Sequence, residues 1–169
     1  MGTIIRDEKP GVEPKILKLL VSAFPTEQEA LLVDRLRKND RLQISLVAEL
    51  DGEIAGQIAF SPVRIEHAEE CVIGAGLAPL AVQADWPRRG IGAQLVRAGL
   101  SACETAGTGF IVVLGEPDFY RRFGFQKASL RGITNAYGVD EPFMVLELRP
   151  GFIGPGLARY APEFAGLAP

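Results

Sequence analysis

Residues 80 to 103 read LAVQADWPRRGIGAQLVRAGLSAC. Leu80, Ala81 and Val82 close a run with strand character, and Pro87 cannot continue it, because proline has no N–H and a fixed φ. From Ile91 the apolar period becomes helical: Ile91 and Leu95 are four apart, as are Gly92, Val96 and Leu100, with Cys103 three further on. Gly90 and Gly92 therefore stand where a helix begins. The first N–H groups of a helix have no intrahelical partner, and the helix dipole makes that end positive. Glycines let an anion approach the bare backbone, and Arg88 and Arg89 add charged donors. The stretch suits a phosphate.

Two phosphate-binding patterns fail here. A P-loop needs Gly-Lys-Ser/Thr, and the chain has no such triplet. A dinucleotide fingerprint needs a third glycine where Leu95 stands, and its turn directly follows a strand. A lone Gly-x-Gly also fits a simple tight turn.

The 169 residues, 47% hydrophobic and 23% charged, suit one soluble domain with a core of its own. A net charge of -3 argues against nucleic acid as the main partner and leaves the two arginines as a local feature for a small anion. Two cysteines, Cys71 and Cys103, are too few for a disulfide framework or a zinc site. Both are expected to be buried thiols. The segment MGTIIRDEKPG lacks the apolar core of a signal peptide, and no apolar run is long enough to span a bilayer. The expectation is a cytoplasmic protein of bacterial type, with neither membrane nor nucleic acid as partner and no metal.

In chain order, Thr3–Arg6 reads as a strand, and Glu13–Phe24 and Thr26–Asn39 read as helices. Glu29 lies on the apolar stripe of the second helix with Leu32, Val33 and Leu36. It admits two readings. Thr26-Glu27-Gln28-Glu29 matches a capping box, and an inward carboxylate also suits a substrate-facing group. Gln43–Leu50 and Glu53–Ile65 read as a hairpin turning at Asp51-Gly52. Glu66–Glu70 is expected to be a polar turn exposing His67, which makes a Ser-His-Asp hydrolase improbable. Cys71–Val82 reads as a strand interrupted by Gly74, Gly76 and Pro79, with backbone groups left for other partners. Phe110–Leu114 is a buried strand, Phe119–Phe123 a short helix, Arg131–Asp140 a loop and Phe143–Leu148 the last strand. From Pro150 the chain reads as extended loop.

Arg88-Arg89-Gly90-Ile91-Gly92-Ala93 resembles the acyl-CoA pyrophosphate loop, Q/R-x-x-G-x-G/A, of the GCN5-related N-acetyltransferase (GNAT) family, with Pro87 at the first position. Phe119-Tyr120-Arg121-Arg122-Phe123-Gly124-Phe125 resembles the family's Y-x-x-x-G-F segment. Phe60-Ser61-Pro62-Val63, Leu77–Val82 and Val113–Pro117 are similar to the YhbS-like group of predicted acetyltransferases within that family.

The resemblance implies an α/β (α+β) fold: a mixed, mostly antiparallel central sheet with helices on both faces. Two parallel strands ending near Val82 and Leu114 would splay to admit pantetheine. It places the acetyltransferase domain at residues 1–149, followed by a Gly/Pro-rich tail at 150–169, packed on the domain or a neighbour. It implies acetyl-CoA as acyl donor, held at Leu80, Ala81, Val82, Arg88, Arg89, Gly90, Ile91, Gly92 and Ala93, with an oxyanion donor among the N–H groups near Ala81 or Val82. Tyr120 matches the family's general acid; its other reading is a core aromatic beside Phe119 and Phe123. Glu29, Glu49, Glu116 and a water chain all remain open as the base. The implied reaction is direct attack by a primary amine of a small molecule or peptide, in a monomer or homodimer. A non-catalytic acyl-CoA sensor is the alternative.

Overall fold

The computed structural model describes residues 2–84, 90–151 and 153–167. The chain forms two compact units, Met1–Phe60 with Pro79–Ala102, and Ser61–Ala78 with Cys103–Pro169. Two long strands, β3 (Glu53–His67) and β4 (Glu70–Val82), run through both.

The first unit holds β1 (Ile4–Asp7), α1 (Glu13–Ala23), α2 (Gln28–Lys38), β2 (Ile44–Leu50) and most of α3 (Ile91–Thr105). Pro14 sits in the first turn of α1, where its missing N–H costs nothing. The helix stops at Ala23 because Pro25 disfavours the α region for Phe24, which is extended at φ -122° and ψ 154°. Strands β1 and β2, and β2 and β3, pair antiparallel. Asp51 and Gly52 both have positive φ (52° and 78°), as the tight hairpin turn requires. Ile16, Leu19 and Leu20 of α1 and Ala30 and Val33 of α2 form one apolar layer with Val47, Ile54 and Ala81. The opposite face of β3 takes α3. A Cβ on Gly56 would stand 2.9 Å from Leu95 Cδ1, and one on Gly99 2.5 Å from the Phe60 ring. Helices thus lie on both faces of the sheet in this unit.

The second unit holds β5 (Phe110–Leu114), α4 (Pro117–Arg121), β6 (Gln126–Lys127), β7 (Ile133–Asn135), β8 (Phe143–Glu147) and β9 (Gly156–Tyr160). Strand β8 pairs antiparallel with β5 and β6, while β4 and β5 run parallel. Val63, Ile65, Phe110, Val112, Phe143 and Val145 centre its core.

Several local expectations are corrected. α2 starts at Gln28 with Glu27 as N-cap, so the capping box from Thr26 to Glu29 does not form; Thr26 Oγ1 instead accepts the Gln28 N–H at 3.3 Å. β3 extends to His67, leaving Ala68 and Glu69 as the turn. Cys71 is exposed, because it lies at the start of β4, well before the ladder with β5 begins at Ala75. The Arg131–Asp140 segment contains β7, and the segment after Pro150 contains β9. β9 pairs antiparallel with β3 (Val63↔Tyr160 to Glu66↔Leu157) and parallel with β7.

Candidate active site

In the first unit, β4 delivers Leu80, Ala81 and Val82. Ala81 is buried in the layer under α1 and α2, whereas Leu80 and Val82 are half-buried on the other face of the strand. The parallel ladder of β4 with β5 has three residue pairs and ends at Leu77↔Val113, although β4 runs on to Val82. Pro79 explains part of this, since it has no N–H to give a ladder. The strand expected to be interrupted at Gly74, Gly76 and Pro79 is instead continuous from Glu70 to Val82, and it is its ladder with β5 that stops early.

After β4, Gln83 N–H donates to Ala55 O at 2.7 Å and ties the end of the strand to β3. Arg88 and Arg89, with Asp85, Trp86 and Pro87, lie outside the described residues. Gly90 is exposed with φ 69°, a value that favours glycine, and its carbonyl accepts the Gln94 N–H at 3.0 Å. That bond opens the ladder of α3. The N–H groups of Ile91, Gly92 and Ala93 therefore precede the first intrahelical bond and, among the described residues, are open to an anion. Gly56 lets Ile91 and Leu95 seat this first turn against the sheet. A strand that runs on past its ladder with β5, followed by a glycine-led helix start, fits the amide-and-pyrophosphate chemistry of a coenzyme A thioester.

The three candidate bases differ in their engagement. Glu49 is committed to Arg6, with Arg6 Nη2 at 2.7 Å from its Oε2. Glu116 is the N-cap of α4, and its carbonyl receives the Phe119 and Tyr120 N–H groups. Glu29 is half-buried in the first turn of α2, and its Oε1 is buried with no hydrogen-bond partner among the described residues.

In the second unit, Tyr120 is 6% exposed. Its ring meets Phe119 and Phe125 edge-on, at 4.9 and 5.6 Å between centroids, and lies so close over Gly115 that a Cβ there would clash. Burial pushes its phenol up to about 12. The proton is thus held throughout neutral pH. Both readings of Tyr120 are compatible with this setting, a packed ring with a retained donor at its tip.

Sequence reasoning did not single out Gln57. It is buried in β3 and hydrogen-bonded to Ser45, and its Oε1 has no partner among the described residues. No sequence pattern signals it, because its environment is assembled by residues far away along the chain.

Among the described residues, no cluster of three or more His, Cys, Asp or Glu could hold a metal ion, and no helix is long and apolar enough to cross a membrane.

The family model for the acetyltransferase (GNAT) domain matches residues 5–128. The chain is 36% identical over 165 residues to the uncharacterised N-acetyltransferase YhbS of Escherichia coli K12, covering 95% of this chain and 98% of that protein. A crystal structure of E. coli YhbS in complex with CoA superposes with a TM-score of 0.90 at 35% identity, covering 98% and 93% of the two chains. A GNAT family acetyltransferase from Brucella melitensis in complex with acetyl-CoA gives a TM-score of 0.79 at 36% identity, covering 96% and 98%. With its mixed, mostly antiparallel sheet, its early-ending parallel ladder and its glycine-led helix, the chain belongs to the GNAT acetyltransferase family.

Proposed function

We propose that the chain transfers an acetyl group from acetyl-CoA to a primary amine of a small molecule or peptide, in the cytoplasm of a bacterial cell. The observation that carries this reading is the β4 backbone beyond Leu77, released from β5 and followed by the bare N–H groups of α3. The relatives in complex with CoA and acetyl-CoA support the donor.

Acetyl-CoA, when bound, supplies an acyl thioester open to attack by an amine. The backbone of Leu80, Ala81 and Val82 pairs with the pantetheine amides. Arg88, Arg89 and the N–H groups of Gly90, Ile91, Gly92 and Ala93 hold the pyrophosphate. The Ala81 or Val82 N–H donates to the thioester oxygen as negative charge grows there. Glu29 takes the proton that the attacking amine must lose, and its unpartnered Oε1 favours it over the engaged Glu49. Tyr120 Oη donates to the leaving sulfur. A phenol at about 12 is a weaker acid than an ordinary thiol at ~8.5, so its contribution is a hydrogen bond more than a completed transfer.

The test of the cofactor is thermal. Acetyl-CoA raises the melting temperature of the wild type by mass action on the folded state. Gly92→Glu adds bulk and negative charge in the first turn of α3 and abolishes that rise. A mutant with the full rise would remove this turn as the phosphate site. For the base, Glu29→Gln lowers kcat by about 10²-fold while the acetyl-CoA shift stays at its wild-type size. Parallel loss of turnover and cofactor affinity, or no loss, eliminates Glu29.

A further inference from the structure

Gln57 lies in β3 and is 0% exposed. It pairs in register with Val47, so it occupies the sheet face that carries the apolar layer under α1 and α2. A chain of hydrogen bonds fixes which way its amide points. Arg37 of α2 donates Nε to Glu8 Oε2 and Nη2 to Glu8 Oε1, both at 2.8 Å. Burial alone would raise the Glu8 carboxyl, but the bonds from Arg37 and Ser45 outweigh it and hold the group below its ordinary range. Glu8 is then an ionised acceptor only. Ser45 Oγ must donate to it, at 2.8 Å, which commits the single hydroxyl proton. Only a donor can approach Ser45 Oγ from the other side, and Gln57 Nε2 does so at 3.0 Å. The amide cannot flip without placing two acceptors against each other. Gln57 Oε1 is therefore the free end of the chain, buried and without a partner among the described residues.

Glu29 Oε1 is in the same condition in the same unit. Both orphaned atoms are acceptors, and what satisfies buried acceptors is a partner that brings donors. An ammonium brings three and accepts none. The Arg37–Glu8 pair is internally neutral, so the network behind Gln57 adds no net positive charge to repel a cation.

We propose that Gln57 Oε1 is a hydrogen-bond acceptor for the ammonium end of the acceptor substrate, held in that orientation by Ser45, Glu8 and Arg37. This rests on the transferase reading above and narrows it to primary amines that bind protonated: the bound ammonium gives one proton to Glu29 before its nitrogen can attack, and the second, lost from that nitrogen after attack, leaves on the coenzyme A thiol. Ser45 is a positioning residue, because it acts through the amide.

The experiment uses the full chain with acetyl-CoA and n-butylamine as the minimal probe, measuring thiol release. Gln57→Leu fills a similar volume and removes the acceptor together with the amide that donates to Ser45. It raises the KM for n-butylamine about tenfold or more, as expected for a lost hydrogen bond to a charged group. The KM for acetyl-CoA and the acetyl-CoA shift in melting temperature stay unchanged. Ser45→Ala keeps Gln57 but frees its amide to rotate, and raises the amine KM by a smaller factor. An unchanged amine KM in Gln57→Leu overturns the proposal, since an ordered water then fills the position. Equal loss of both substrates overturns it in favour of a structural role. Wild-type protein that shows the acetyl-CoA shift but no amine-dependent thiol release also overturns it, leaving cofactor binding intact. Absence of the acetyl-CoA shift from the wild type refutes instead the reading beneath it.

Discussion

Tyr120→Phe lowers kcat for acetyl transfer by about 10²-fold, the usual cost of deleting one donor aimed at developing charge. The substitution removes a single oxygen and leaves the ring between Phe119 and Phe125 in place. The acetyl-CoA shift in melting temperature is therefore retained. Full turnover in the mutant would make Tyr120 a core aromatic alone. A pH titration of stability gives an independent check. The folded-state phenol is raised to about 12 from an ordinary value of 10. Below pH 10 both folded and unfolded chains keep the proton, so the group costs nothing. Between 10 and about 12 only the unfolded chain loses it, and stability falls as pH rises. Tyr120→Phe flattens part of that fall. Cys103, Tyr137 and Tyr160, all raised by burial, keep the remainder.

Phe110→Ala destabilises the chain by about 3–5 kcal/mol, the range for deleting a buried aromatic ring. That is a large share of the ~5–15 kcal/mol that holds a domain together. Phe110 is 0% exposed and central to the second unit's core. Its ring fits only because Gly74 has no side chain: a Cβ there would stand 2.5–2.6 Å from three ring atoms. Gly74→Ala alone costs about 1–3 kcal/mol by overpacking. In the Phe110→Ala background the same methyl enters the vacated space and its cost shrinks or reverses. Urea unfolding of the four proteins measures this coupling. Additive losses would mean that the ring and the glycine are not in contact.

What was legible in the sequence followed local periodicity. α1, α3, the β2–β3 hairpin with its Asp51-Gly52 turn, and the apolar run of β5 all announce themselves within a few residues. β7 and β9 do not. β9 is Gly156-Leu157-Ala158-Arg159-Tyr160, preceded by Pro155, and nothing local distinguishes it from a loop. It becomes a strand because β3 and β7 offer it backbone partners. Cys71 failed for a related reason: its strand was recognised, but burial depends on which neighbours reach it. In the proposed site, the Gly90–Gly92 turn is legible as a helix start from spacing, whereas Tyr120 stands out only through the resemblance to the family's Y-x-x-x-G-F segment. Glu29 stayed ambiguous until the start of α2 ruled out the capping box. Gln57 was invisible, since its meaning is conferred by Ser45, Glu8 and Arg37, up to 49 positions away.

The placement of β9 also sets an order of events during synthesis. Glu66 and Arg159, which meet across the β3–β9 pair, are 93 residues apart. At ~5–20 residues per second a ribosome takes about 5–20 s to close that interval. Throughout it, the β3 segment from Val63 to Glu66 carries an open backbone edge on the side that β9 will cover. A nascent chain of this protein therefore exposes this edge to pairing with a neighbouring nascent chain until β9 emerges.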